Sequence, residues 1–126
     1  AKMDYLSTLG INQLRNHIDT LVSQYNRYCE GTTMKSIAPK FLGVIATMVS
    51  LRSGSPITAQ QYYIDTLTRN KVPLFTNMVR ENKTLFASAP DSGTPVVMQA
   101  HTSGTYAEVV SELENLTTEF MQKIGV

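Results

Sequence analysis

The stretch INQLRNHIDTLVSQYNRYCE, residues 11–30, decides the fold. Its large apolar side chains recur mostly at steps of three and four residues: Ile11, Leu14, Ile18, Leu21, Val22, Tyr25 and Tyr28. Because an α-helix turns once every 3.6 residues, this spacing places them along one side of a helix. Gly31 supplies the left-handed stop on which many helices end. The pattern predicts a helix over 11–30, preceded by a short helical turn over 4–9 that Gly10 interrupts.

The segment from Ser36 to Arg52 is apolar on almost every side, which is typical of a helix surrounded by its neighbours. A buried strand is the alternative, favoured by the β-branched Val44, Ile45 and Val49, but about 16 residues is long for a strand. We therefore expect a central helix here. A turn should follow over 53–56, where serine, glycine and proline cluster.

Two further helices are predicted in the middle of the chain. Thr58 with Gln61 three residues later fits a capping box, in which each side chain satisfies a free backbone N–H at the helix start. Pro73 suits the first turn of the next helix, which should run through Leu74 to Phe86.

The last helix should begin at Thr105, which forms a second capping box with Glu108. Its apolar residues form one stripe suited to packing against other helices: Val109, Leu113, Leu116, Phe120 and Ile124. The acidic back of this helix should face solvent or a basic partner.

Residues 87–104 are rich in proline, glycine and serine, and these residue types oppose regular structure. Within this long loop, Val96-Val97-Met98 either pairs as a short strand or plugs into the core. The prediction is thus an all-α fold, an irregular bundle of about five helices with one long loop (87–104), forming a single domain over 1–126.

Composition limits the environment of the protein. Charged residues make up 17% of the chain, below the usual quarter, so repulsion between copies is weak and self-association is a fair expectation. No apolar run reaches the length of a membrane span. The lone Cys29 cannot form an internal disulfide, which is compatible with a cytoplasmic location.

The residues that usually carry chemistry are few. Two histidines, His17 and His101, and one cysteine show none of the paired spacings of a zinc site, and no phosphate loop is present, so no cofactor or metal is expected. His101 lies in the long loop near serines and an aspartate, and a small hydrolytic enzyme would have to use it. Nothing in the sequence fixes that geometry.

Charge is unevenly distributed along the chain. Residues 34–83 carry a net charge of +5 and residues 84–126 a net charge of −4. Clustered Lys and Arg can neutralise phosphates, so the basic segment is a candidate nucleic-acid site. Its candidate residues are Lys35, Lys40, Arg52, Arg69, Lys71, Arg80 and Lys83. The competing interpretation is that the basic middle and the acidic last helix lie side by side.

These observations favour a non-enzymatic helical protein-interaction or assembly module whose partner is another protein or a second copy of itself. Nucleic-acid binding through 34–83 is the alternative, and a small enzyme using His101 is the second alternative. Low charge and many Thr and Asn residues also suit a coat, assembly or accessory protein of a virus or mobile element.

Overall fold

The computed structural model describes residues 1–99 and 104–126, and this part of the chain is mostly helical. Four α-helices and a two-stranded antiparallel sheet make up most of its regular structure. The helices are α1 (Tyr5–Cys29), α2 (Thr58–Arg69), α3 (Lys83–Ser92) and α4 (Gly104–Ile124), and the strands are β1 (Leu51–Arg52) and β2 (Ser55–Pro56).

The predicted first helix is confirmed and is longer than expected. The Asp4 carboxylate caps α1 by accepting a hydrogen bond of 2.8 Å from the Ser7 N–H, so the helix begins at Tyr5. It then runs through Gly10 without the predicted interruption. Gly31 adopts a left-handed φ of 73° just after its end, as the sequence indicated.

The predicted central helix over 36–52 is wrong, because this segment is extended up to the short hairpin of β1 and β2. We call residues 34–50 the strap. Val44 and Ala46 are buried and alternate with the half-buried Ile45 and Thr47, as expected of a strand, and Val49 is buried as well. The sequence does not reveal this alternation, because nearly every residue of the run is apolar. Gly43 adopts a φ of 143°, which side chains rarely allow, and a Cβ there would lie 3.0 Å from the Pro73 carbonyl oxygen.

The strap pairs in parallel with chain on both of its sides. Thr47 donates to the Ala1 carbonyl over 2.9 Å on one side. On the other side Val44 donates to the Pro73 carbonyl over 2.8 Å, and Phe75 donates back to the Val44 carbonyl over 2.9 Å. The two neighbours are therefore residues 1–3 and residues 72–82, and helices α1 and α2 form the connections between these parallel segments.

A buried side chain completes the hydrogen bonding of the strap. Gln60, on the first turn of α2, accepts from the Ser50 N–H over 2.8 Å and donates to the Met48 carbonyl over 3.1 Å. The Gln60 amide thus makes the two backbone hydrogen bonds that a neighbouring strand would otherwise make with the strap.

Helices α2 and α3 differ from prediction in their ends. Helix α2 begins at Thr58 as expected, but the capping box is wrong: the N-cap is Ile57, and Gln61 donates to Asp65 instead. Pro73 lies in the extended 72–82 segment rather than in a helix. Helix α3 begins only after Asn82, whose side chain accepts from the Leu85 N–H.

The long loop over 87–104 is likewise shorter than predicted, because α3 continues to Ser92 and ends at Gly93 in the left-handed conformation. Val96–Met98 forms a 3₁₀ turn, not a strand, although Val96 does plug into the core. The last helix is confirmed as α4, with Thr105 as its second residue.

Two apolar clusters hold these elements together. The first surrounds the strap and contains Met3, Ile11, Val44, Ala46, Val49, Leu67 and Val72. The second joins α3, the 3₁₀ turn and α4 through Leu85, Val96 and Val109. The N-terminal half of α4 therefore belongs to the second cluster.

Replacing Gln60 by leucine should lower the free energy of unfolding by about 1–3 kcal/mol, because two backbone groups of the strap lose their partner. Gln61→Leu is the matched control, since its amide bonds only a neighbouring side chain, and it should change stability by less than about 0.5 kcal/mol. Urea unfolding of both variants tests this. Equal losses of unfolding free energy in the two variants would show that the hydrogen bonds of Gln60 to the strap do not stabilise the fold.

Candidate functional site

A stripe of apolar side chains, most of them exposed, runs along α1. It consists of the exposed Leu14, Ile18, Leu21 and Tyr28 and the half-buried Tyr25, and we call it the α1 stripe. Leu14, Leu21 and Tyr28 are 61%, 66% and 72% exposed. The 25-residue helix buries Ile11 and Cys29 alone. Large apolar side chains normally supply the core, so a row of them on the surface is a candidate interaction surface.

Different residue types border the α1 stripe on its two sides. Arg15, half-buried Val22 and buried Cys29 lie on the side that faces the rest of the molecule. His17 and Gln24 lie on the other side and are exposed. The outer border of the stripe is therefore polar but carries no permanent charge.

A groove lies beside the stripe, between α1 and the C-terminal half of α4. One cavity of about 480 Å³ is lined by Ala1, by four residues of α1, by five strap residues, by Val79 and by Leu116. The α1 residues are Ile11, Leu14, Arg15 and Ile18, and the strap residues are Phe41, Gly43, Val44, Ile45 and Thr47. A second cavity of about 370 Å³ extends it toward Phe75 and Phe120. Both cavities share Ile18 and Phe41, so they form one mainly apolar groove with the strap as its floor.

Contacts between α1 and the strap shape this groove. The Asn26 side chain accepts from the Ile37 N–H over 2.7 Å and donates to the Ile37 carbonyl over 2.8 Å. The Arg15 guanidinium lies 4.5 Å from the centroid of the Phe41 ring, a cation–π distance. These contacts position the strap beside α1 without covering the α1 stripe.

An ion-pair cluster holds α4 against the 72–82 segment. Arg80 donates to Glu112 through Nε (2.8 Å) and Nη2 (2.5 Å), and to Glu108 through Nη1 (2.9 Å). The hydrogen bond with Glu112 contributes most to raising the pKa of Arg80, and desolvation opposes it. Arg80 is largely covered, so its charge is directed at α4 and not at solvent.

A second carboxylate fixes the other end of α4. Glu119 accepts hydrogen bonds from the Thr76 N–H (2.8 Å), the Asn77 N–H (2.9 Å) and the Asn77 side chain (2.8 Å). Desolvation raises the pKa of Glu119, but these hydrogen bonds and the nearby Lys123 charge together outweigh it, so the pKa is lowered. The acidic back of α4 thus holds the fold together at Glu112 and Glu119, while Glu114 is exposed.

Of the seven basic candidates, Arg80 is half-buried and paired with α4, whereas the other six are exposed. Arg80 is engaged with α4, as the side-by-side interpretation of the two charged regions requires. The others are exposed: Lys35, Lys40, Arg52, Arg69, Lys71 and Lys83. Lys83 lies 3.7 Å from a Glu81 carboxylate oxygen, and Arg69 donates to the Thr66 hydroxyl.

The candidate catalytic or metal-binding residues are the two histidines and the cysteine. His101 lies outside the described residues, and His17 is exposed on α1. Cys29 is buried, with its thiol 3.7 Å from the Lys35 carbonyl oxygen. Within residues 1–99 and 104–126 no three His, Cys, Asp or Glu side chains cluster as a metal site would require. The same part of the chain contains no helix that combines the length and apolarity of a membrane span.

The sequence predicts that the apolar residues of the α1 stripe share one side of a helix, but it does not predict whether that side is covered. Helical spacing of apolar residues is the usual signature of a face that packs against its own domain. Whether the rest of the chain covers that face depends on tertiary structure, and here the strap contacts the edge of α1 rather than its apolar face. The groove involves residues from several separated segments, among them α1, the strap, 72–82 and α4, so no local pattern signals it.

The lowered pKa of Glu119 predicts acid sensitivity. The unfolded state binds more protons than the folded state in acid, so the stabilisation is fully present above a pH of about 4.3, the usual Glu pKa, and is lost as pH falls through the folded pKa. Glu119→Gln should lose about 1–3 kcal/mol of stability at neutral pH and lose less than the parent between pH 5 and pH 3. Urea midpoints at several pH values measure both effects.

Glu114→Gln is the control, because Glu114 is exposed on the same helix. It should leave both the stability and its pH dependence close to those of the parent protein. A Glu119→Gln protein whose stability falls with acid as steeply as the parent would contradict the assignment.

Comparison with known proteins adds no family to this description. No protein-family model matches the chain, and neither a curated protein nor a solved structure matches it at significant similarity. The function therefore has to be argued from the surface and the contacts of the chain itself.

Proposed function

We propose that this chain is a non-enzymatic helical assembly module that associates with further copies of itself. The observation that carries the proposal is the amount of surface that the chain leaves accessible to solvent. Low charge supports it, because a surface with few charged groups resists association weakly.

The accessible surface is larger than that of a compact monomer. It measures 8995 Å² for a mass of 14.0 kDa. A folded monomer of that mass is expected to expose about 6,700 Å². The excess of about 2,300 Å² is more than twice the ~800 Å² that each partner buries in a standard protein–protein interface.

Among the described residues, about half of the exposed large apolar side chains lie on α1 and α4. Beside the α1 stripe, Phe120, Met121 and Ile124 are each more than 40% exposed near the end of α4. Surfaces of this kind are usually covered in a functional assembly. A partner copy that covers both regions would remove part of this excess.

Self-association is tested by the light-scattering mass of the protein during size-exclusion chromatography over a wide range of concentrations. We expect a mass that is a multiple of 14.0 kDa and that falls on dilution according to mass action. A mass of 14.0 kDa at every accessible concentration would contradict the proposal.

Nucleic-acid binding through segment 34–83 is the second candidate function, and the exposure of six of its seven basic candidates supports it. Their charge is available to phosphate groups, whereas that of Arg80 is engaged with α4. Binding of this type weakens steeply as salt concentration rises, because it releases counterions.

If that second function is real, Arg69→Glu combined with Lys71→Glu should weaken polynucleotide binding at low salt at least tenfold while leaving the fold intact. Lys2→Glu combined with Arg27→Glu is the matched control, since it makes the same change in net charge at exposed positions outside the segment. Fluorescence anisotropy with single-stranded and duplex oligonucleotides measures both. Unchanged affinity in the first variant, or an equal loss in the control, would exclude a specific role for the segment.

A further inference from the structure

We infer that the α1 stripe is the contact between copies, and that it packs against the α1 stripe of a second copy in a two-fold symmetric dimer. This inference rests on the proposed function and specifies its partner and its surface. It follows from the spacing of the stripe, from the residues beside it and from the groove next to it.

The stripe has the spacing of a coiled-coil contact. Counted from the buried Ile11 that precedes them, the stripe residues follow one another at alternating steps of three and four residues, which is the a and d pattern of a heptad repeat. Such a row remains on one side of a helix and fits between the side chains of an equivalent row. Two and a half heptads are few for an isolated coiled coil, but here the rest of the fold already holds α1 as a helix.

The side chains that border the stripe favour a second copy over a charged partner. A partner of strong charge would be selected by opposite charges beside the stripe, and its outer border offers His17 and Gln24 instead. Arg15, on the inner border, is already stacked on Phe41. Because permanent charges are absent from the outer border, two identical stripes can meet there without like-charge repulsion.

The groove extends the apolar surface of the stripe toward α4. Leu14 and Ile18 belong both to the α1 stripe and to the groove lining, so a helix packed on the stripe also lies over the mouth of the groove. A helix with its side chains is about 10 Å across, and the opposite wall is formed by Leu116 and Phe120 of α4. Contact along the stripe and across this mouth would cover part of the excess area on a mainly apolar surface.

The test compares two leucines of α1 that share residue type and exposure. Leu21 is 66% exposed and lies on the stripe, whereas Leu6 is 75% exposed and lies about a quarter turn away from it. Leu21→Lys should raise the dissociation constant of the dimer at least about a hundredfold, because it places two unpaired charges in an apolar contact. Leu6→Lys should leave the mass unchanged. Lysine is nearly as good a helix former as leucine, and circular dichroism checks that both variants fold.

A mixing experiment separates a direct contact from an indirect effect on folding. Leu21→Lys and Leu21→Glu proteins should each be monomeric alone and should form a dimer when mixed, because position 21 lies near the middle of the stripe and the opposite charges then meet. Recovery of the dimer supports direct pairing of the stripes. Failure to recover it overturns the inference.

The remaining outcomes distinguish this inference from the proposed function. If the parent protein is an oligomer and Leu21→Lys leaves its mass unchanged, the assembly proposal stands and the α1 contact is wrong. Phe120→Lys then tests whether the end of α4 is the contact. Dissociation of the oligomer by this variant would show that the copies meet there and not at the α1 stripe. A monomeric parent protein overturns both.

Discussion

The rest of the structure depends on one constraint: the strap backbone around the buried Val44, Ala46 and Val49 must find hydrogen-bond partners on both sides. Residues 1–3 and 72–82 supply them by parallel pairing, and the Gln60 amide supplies them where pairing stops. Parallel neighbours require long connections, which are α1 on one side and α2 on the other. The first apolar cluster then forms around the strap, with Val44, Ala46 and Val49 buried within it.

This arrangement explains why so much apolar surface is left uncovered. A buried helix in the middle of a bundle would have covered the apolar faces of α1 and α4 together. An extended strap is thinner than a helix and contacts the edge of α1 through Arg15 and Asn26. The α1 stripe and the groove beside it therefore stay open, and the same geometry that satisfies the strap creates the candidate interface.

Apolar packing holds the N-terminal half of α4 in place, whereas polar contacts hold its C-terminal half. The N-terminal half of α4 enters the second cluster through Val109, but its C-terminal half is held by Glu119 on the backbone of Thr76 and Asn77. Between them, Arg80 joins two carboxylates of the helix. Charge-assisted hydrogen bonds of this kind position a helix while leaving its apolar side chains available for another molecule.

The sequence by itself determined α1 and α4, because both carry a regular spacing of apolar residues, and α1 also has a clear stop at Gly31. It placed the start of α2 at Thr58, although through a capping box that does not form. It also indicated the low charge and the division between basic and acidic regions. Only the tertiary structure decided that the apolar run at 36–52 is extended, since strand and helix differ there through contacts with Pro73 and Gln60, which lie far along the chain. It alone decided that the stripe on α1 is exposed. Local spacing states which residues share a face, but what covers that face depends on where distant segments pack.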